Sequence, residues 1–279
     1  VTLTRGDISR ILTEHGLSPR RAFGQNFVAD PNTVRRIARL AEVGPEDLVI
    51  EVGPGLGSLT LALAETGAEI IAVEVDHGLV PILRSVTADQ RRVTVVEGDA
   101  MTLDWNHLAT RPATLVANLP YNIATPLIAD LLDTAPAIER FVVMVQREVA
   151  LRLAAPPGSS DYGAVSVKVA YWATARILGD VPATVFVPRP KVTSSIIEIT
   201  RRAEPAVGSD VPAEELFALV RRAFGQRRKM LRRSLAEVTT PEIFSRAGIA
   251  PDDRPENLGV EQWGRLARAV IEARFGDRS

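Results

Sequence analysis

Five short apolar runs in the first 150 residues each stop at a small or polar residue, and this rhythm constrains the fold more than any other feature of the chain. Asp47 to Val52 is followed by Gly53-Pro54-Gly55-Leu56-Gly57. Ile70 to Val75, with Glu74 at its end, runs into Asp76, and Val93 to Val96 into Glu97-Gly98-Asp99. Ala113 to Ala117 is followed by Asn118-Leu119-Pro120-Tyr121, and Phe141 to Val145 by a stretch, Arg147 to Leu153, that reads as a helix. Between the runs lie helical patterns. Asp30-Pro31 is a cap with proline in the first turn, after which Val34, Ile37, Ala38 and Ala41 recur at helical spacing. Ser58 to Thr66 reads as a second helix, closed by Gly67. Strands alternating with helices at this pitch predict an α/β fold with a parallel, doubly wound sheet. In such sheets ligands gather beyond the carboxyl ends of the strands, where Gly53, Glu74, Asp99 and Asn118 all fall.

Beyond this half the signals change. Residues 155–160 read as a loop, and Val165 to Val169 suits a strand or a helix equally. Val185 to Thr200 reads as a late antiparallel pair interrupted by Pro188 and Pro190. Ala203 to Pro212 is linker-like, and the remainder is helical, which predicts two domains, residues 1–204 and a small all-helical domain, 205–279.

Composition narrows the chemistry. With no cysteine, thiolate metal sites and disulfides are excluded, and His15, His77 and His107 show no ligand spacing, so no metal is expected. No apolar run reaches the roughly 18 residues of a membrane span, and residues 1–10 have no leader-like apolar core. A cytoplasmic protein is expected. The net charge of −1 predicts no polyanion partner, yet Arg221, Arg222, Arg227, Arg228, Lys229, Arg232 and Arg233 lie together without an acid among them. Arg20 and Arg21 are candidates to extend that basic surface.

The strand ends also suggest a ligand. A Gly-x-Gly-x-Gly turn departs from the dinucleotide fingerprint, and Pro54 removes an N–H that a pyrophosphate could use. Glu74 can accept both ribose hydroxyls, and Asp99 the amino group of an adenine. A nucleoside without phosphates, such as S-adenosylmethionine, suits this set better than NAD. At Asn118-Leu119-Pro120-Tyr121 an amide and fixed carbonyls stand beside a flat ring, an arrangement suited to an amine on a planar heterocycle.

Together, Glu51-Val52-Gly53-Pro54-Gly55-Leu56-Gly57, Glu74-Val75-Asp76, Glu97-Gly98-Asp99-Ala100 and Asn118-Leu119-Pro120-Tyr121-Asn122-Ile123 resemble the rRNA adenine dimethyltransferases. Gly24-Gln25-Asn26-Phe27 and the segment Val185 to Ser194 match as well. Residues 224–232 and Arg254-Pro255-Glu256-Asn257-Leu258 resemble the KsgA-type branch, which dimethylates two adjacent adenosines near the 3′ end of 16S rRNA. The Erm-type branch, acting on large-subunit rRNA, is the alternative, as is an assembly factor whose binding dominates. Leu119 argues against a DNA adenine methyltransferase, where a second proline is usual.

The resemblance implies a Rossmann-like class I methyltransferase sheet. Its S-adenosylmethionine site would draw on Gln25, Asn26, Val28, Gly53, Gly55, Glu74, Val75, Asp99, Ala100 and Asn118. Asn118, Leu119, Pro120 and Tyr121 would form the catalytic corner, with Phe186 as a second stacking wall for the target base. The basic cluster would contact 16S rRNA in the immature small subunit, and the protein is expected to act as a monomer. Gly225, where a polar residue such as Asn is usual, is the one departure in the C-terminal motif.

Overall fold

The computed structural model describes residues 2–20 and 23–276. In chain order its elements are α1 (Arg5–Glu14), β1 (Phe27–Val28), α2 (Pro31–Ala41), β2 (Leu48–Val52), α3 (Ser58–Ala64), β3 (Glu69–Glu74), α4 (Val80–Val86), β4 (Val93–Glu97) and α5 (Trp105–Leu108). Then follow β5 (Ala113–Asn118), α6 (Ala124–Thr134), β6 (Ile138–Gln146), α7 (Arg147–Leu153), α8 (Ala164–Trp172), β7 (Ala173–Val181), β8 (Phe186–Val187) and β9 (Ser194–Arg201). The chain closes with α9 (Ala213–Gly225), α10 (Leu231–Ser234), α11 (Pro241–Ala247) and α12 (Val260–Gly276).

The main sheet has the order β4-β3-β2-β5-β6-β9-β7. Strands β2 to β6 pair in parallel, while β9 joins β6 antiparallel, so the sheet is mostly rather than wholly parallel. The central strand β2 is buried along its whole length, as its near-continuous apolar run requires of a strand covered on both faces. From β2 the chain winds outward through β3 and β4, then returns to β5 on the other side. That reversal opens a crevice at the carboxyl ends of β2 and β5. Helix α2 forms as its sequence dictates: Asp30 accepts from the Thr33 N–H at 2.9 Å, Pro31 opens the first turn, and Val34, Ile37, Ala38 and Ala41 are buried.

Two expectations change and one open alternative is resolved. The segment Val185 to Thr200 does hold two strands, but they do not pair with each other. Strand β8 pairs with β1, Phe27 opposite Val187 and Val28 opposite Phe186, while β9 enters the main sheet. The open segment 165–169 is helical, within α8. The second change concerns the division of the chain, which falls into one unit of residues 1–150 and 176–201 and another of 151–175 and 202–279. Residues 151–175 therefore go with the helices rather than with the sheet. The cause is apolar packing: Val167 and Tyr171 are buried in one cluster with Leu216, Phe217 and Trp263. The Tyr171 and Phe217 rings meet edge-on at 5.1 Å, and the Tyr162 hydroxyl donates to the Leu258 carbonyl at 2.8 Å.

Candidate active site

A cleft with about 890 Å³ of space, counted out to its open mouth, lies at the carboxyl ends of the parallel strands. Its lining includes every residue that the sequence assigns to the cofactor: Gln25, Asn26, Val28, Gly53, Gly55, Glu74, Val75, Asp99, Ala100 and Asn118. Leu119, Pro120 and Tyr121 line it too.

The floor is the glycine turn after β2. Gly53 and Gly55 hold φ of +68° and +60°, a region that other residues rarely adopt. A side chain at Gly55 would also meet the Phe27 ring at 2.9 Å. Glu74 ties the turn down: one carboxylate oxygen accepts from the Gly55 N–H at 2.9 Å and the other from the Asp76 N–H at 2.9 Å. Burial raises the Glu74 pKa, and these two N–H groups oppose the rise. Each oxygen keeps a lone pair for a further donor. Across the cleft, Asp99 is exposed and accepts from the Met101 N–H through Oδ1, and the half-exposed Val75 offers an apolar face.

The N-terminal segment closes one side. The β1–β8 ribbon anchors it, with the Ala29 N–H donating to the Val185 carbonyl at 2.7 Å. The Gln25 amide donates to Asp76 at 2.7 Å, and Arg20 pairs with the same carboxylate at 3.2 Å. Gln25 thus lines the cleft while its side chain is committed to holding the segment. Arg20 is spent on Asp76 rather than left as free positive charge, and Arg21 lies outside the described residues.

At the Asn118-Leu119-Pro120-Tyr121 corner each group has a distinct set of partners. The Asn118 Nδ2 donates to the Asn26 carbonyl at 3.0 Å. Rotating the amide would set two oxygens against each other, so this bond fixes Oδ1 as the free acceptor. The Pro120 carbonyl caps the next helix, accepting from the Ile123 and Ala124 N–H groups at 3.1 Å each. The Leu119 N–H donates to the Met144 carbonyl at 3.0 Å, while its own carbonyl has no hydrogen-bond partner among the described residues. Of the two carbonyls that the sequence offered, Leu119 is therefore the available one. The Tyr121 ring is half-buried, and burial raises its phenol pKa.

Phe186 requires a correction. It is fully buried, packed with Val34, Val116, Met144 and Ile196, and does not line the cleft. Paired residues of an antiparallel ribbon share a face, so Phe186 follows Val28 into the core while Phe27 faces the other way. As folded it presents no free face to a base.

Glu51 was left without a role by the sequence reading. It is buried on β2, lines the cleft, and its Oε2 has no hydrogen-bond partner. Burial pushes its carboxyl up to about 8, and the nearby Glu74 charge acts in the same direction. A carboxyl inside the otherwise apolar run Leu48-Val49-Ile50-Glu51-Val52 was the signal available in the sequence.

In the helical unit the basic cluster lies at the end of α9, in the turn that follows and on α10. Arg222 pairs with Glu237, Arg227 with Glu256 and the Ser160 carbonyl, and Arg232 with Asp252. Arg221, Arg228, Lys229 and Arg233 are exposed and have no ion pair among the described residues. Gly225 is the last residue of α9, so the departure in the motif falls where the helix ends.

The strand order, the crevice at the β2–β5 reversal and the acid-lined glycine turn define a Rossmann-like methyltransferase. Residues 16–272 match the family described as "Ribosomal RNA adenine dimethylase". The chain belongs to that family, whose members are S-adenosylmethionine-dependent rRNA methyltransferases. A protein of Thermobifida fusca named ribosomal RNA small subunit methyltransferase A is 44% identical over 95% of this chain and 95% of its own length. A protein of the same name from Streptomyces coelicolor is 45% identical over 95% and 96%. Among solved structures, the 23S rRNA methyltransferase ErmE is 29% identical, with a TM-score of 0.69 over 88% of this chain and all of its own. A dimethyladenosine transferase from Plasmodium falciparum shares the fold, with a TM-score of 0.72 at 23% identity over 85% and 94%.

The cleft suits S-adenosylmethionine on its own evidence. The glycine turn leaves room where a side chain would collide with Phe27, Glu74 retains acceptor capacity for a diol, and the acidic lining favours a cationic ligand. Among the described residues there is no group of acidic or histidine side chains that could hold a metal, and no helix long and apolar enough to cross a membrane.

Proposed function

We propose that this protein transfers methyl groups to the exocyclic amines of two adjacent adenosines near the 3′ end of 16S rRNA, within the immature small subunit in the cytoplasm, acting as a monomer. The observation that carries the chemistry is the Asn118–Asn26 hydrogen bond. It leaves the Asn118 Oδ1 free, and with the unbonded Leu119 carbonyl the corner offers two neutral acceptors next to Tyr121. The choice of the small subunit rests on the relatives named for it, which are 44–45% identical, against 29% for the large-subunit enzyme.

When bound, S-adenosylmethionine supplies an electrophilic methyl on a positively charged sulfur. Glu74 holds the ribose through its remaining lone pairs, and Asp99 accepts from the adenine amine. Gly53 and Gly55 admit the amino-acid portion against bare backbone. The target amine is a weak nucleophile because its lone pair is delocalised into its ring. Accepting one amine hydrogen each, the Asn118 Oδ1 and the Leu119 carbonyl draw the nitrogen toward a pyramidal shape and aim the lone pair into the cleft. They also stabilise the positive charge that grows on the nitrogen. Holding the amine at this corner replaces a bimolecular encounter with a positioned one. The Tyr121 ring stacks on the flipped base, worth about 1–3 kcal/mol against the few kcal/mol of unstacking. No side-chain base is needed, since a methylated ammonium conjugated to the ring loses its proton readily. Arg221, Arg228, Lys229 and Arg233 supply unpaired charge for RNA phosphates.

The test is tritiated S-adenosylmethionine with small subunits lacking the modification, followed by nucleoside analysis. Dimethyladenosine at two adjacent 16S positions is expected. Label in large-subunit RNA instead, or none at all, refutes the assignment.

A further inference from the structure

Ser194 opens β9 opposite Gln146 of β6 and is fully buried. Its hydroxyl lies 3.1 Å from the Tyr121 hydroxyl, and neither oxygen has another protein partner among the described residues. The adjacent Ser195, on the opposite face, donates to Asp180 at 2.6 Å, so the two serines serve different contacts. A fully buried hydroxyl costs free energy unless it is bonded, and alanine would fill the position without that cost. The one bond it makes runs to the ring that stacks on the target.

We infer that Ser194 is a positioning residue for methyl transfer: it pins the far end of the Tyr121 ring and thereby fixes where the ring stands when the target adenine stacks on it. The inference rests on the function proposed above. The ring turns about two torsions. Its near end is held by the Pro120 carbonyl cap on α6, and its far end by Ser194, whose bond lies on the ring's long axis and so restrains the swing about χ1. Phenylalanine would offer the same π face without the second anchor.

The two transfers should depend on this pin unequally. A primary amine has two hydrogens for the two acceptors, Asn118 Oδ1 and the Leu119 carbonyl. After one methylation a single N–H remains, one acceptor contact is lost, and stacking carries more of the alignment. Loosening the ring therefore slows the second transfer more than the first.

The experiment is a double-mutant cycle with the full chain and undermethylated small subunits. The first and second transfers are followed by nucleoside mass spectrometry for wild type, Ser194→Ala, Tyr121→Phe and the double variant. Each single variant should slow the second transfer about three- to tenfold, the size of one net hydrogen bond, and leave monomethyladenosine to accumulate. The double variant should match the singles, and affinity for S-adenosylhomocysteine should not change in any of them. Additive losses, equal slowing of both transfers, or a Tyr121→Phe loss that Ser194→Ala does not share would overturn the inference. If Ser194→Ala fails to fold, Tyr121→Phe, which keeps the buried serine, still decides through the monomethyl product: equal slowing of both steps is the negative result. Failure of the wild type to label 16S adenosines would refute the underlying function and this inference with it, whereas an active wild type with additive variants isolates the error to Ser194.

Discussion

Asn118→Asp separates the two ends of the Asn118 side chain. Aspartate keeps an oxygen for the target amine but replaces the Nδ2 donor with an acceptor, facing the Asn26 carbonyl 3.0 Å away. A buried acceptor deprived of its donor costs roughly 1–3 kcal/mol. At about 1.4 kcal/mol per factor of ten, methyl transfer should fall by about 5- to 150-fold. The carboxylate will rotate or displace the Asn26 segment, so the loss should appear mainly in kcat rather than in affinity for RNA. Lowering the pH should recover part of it, because a protonated carboxyl again has a hydrogen to donate. Asn118→Ala removes both ends and should be slower than Asn118→Asp at every pH. Single-turnover methylation of undermethylated small subunits, at several pH values, provides the measurement. Asn118→Asp within twofold of wild type at neutral pH would show that the Asn26 contact does not orient the amide.

Four further perturbations test the surrounding framework. Glu74→Gln places an NH2 group against either the Gly55 or the Asp76 N–H, so S-adenosylhomocysteine affinity by calorimetry should weaken about 5- to 150-fold, and an unchanged affinity would refute the tether. Glu51 is held protonated in the folded state up to about 8, against an ordinary value of 4.5. The unfolded chain therefore releases this proton first, and stability falls as pH rises from about 4.5, levelling above about 8, by on the order of 5 kcal/mol in total. The melting temperature of wild type should accordingly drop relative to Glu51→Gln between pH 5 and 9, and parallel curves would refute the burial argument. Replacing Arg221, Arg228, Lys229 or Arg233 with alanine should weaken RNA binding and flatten its log–log salt dependence by about 0.7–0.9 per residue that meets a phosphate. Arg227→Ala should instead lower thermal stability, since its guanidinium holds Glu256 and the Ser160 carbonyl.

How far the fold was legible depends on where each signal resides. Strands β2 to β6 and helix α2 could be read because burial on one or both faces writes an apolar pattern directly into local sequence. Strand β7 went unread for the opposite reason. It lies at the edge of the sheet, and Thr174, Arg176 and Asp180 give it the composition of a loop. Helix α8 stayed ambiguous because Ala164 to Trp172 is apolar on most sides, and a short apolar run has no period to resolve. The two-residue strands β1 and β8 carry no local pattern at all. Their pairing joins residues about 160 positions apart, and only that pairing decides that Phe186 faces the core.

The same distinction runs through the active site. Gly53, Glu74, Asp99 and Asn118 were legible because each lies at a strand's carboxyl end or within two residues beyond it, and a parallel sheet brings all such residues to one edge. What could not be read was how each group is held: Asn118 by Asn26, Tyr121 by Ser194, Gln25 by Asp76 and the Gly55 N–H by Glu74. These ties cross between 19 and 92 positions of sequence, and none requires an unusual residue at either end. An asparagine at a strand end announces only an amide. The Asn26 carbonyl makes its oxygen the free end, and so leaves a residue with both a donor and an acceptor presenting its acceptor, as the proposed function requires. The polarity of this corner is thus a property of the hydrogen-bond network, and because the partner of Asn118 is a main-chain carbonyl that no side-chain substitution removes, a change at Asn118 itself, such as Asn118→Asp, is what tests it.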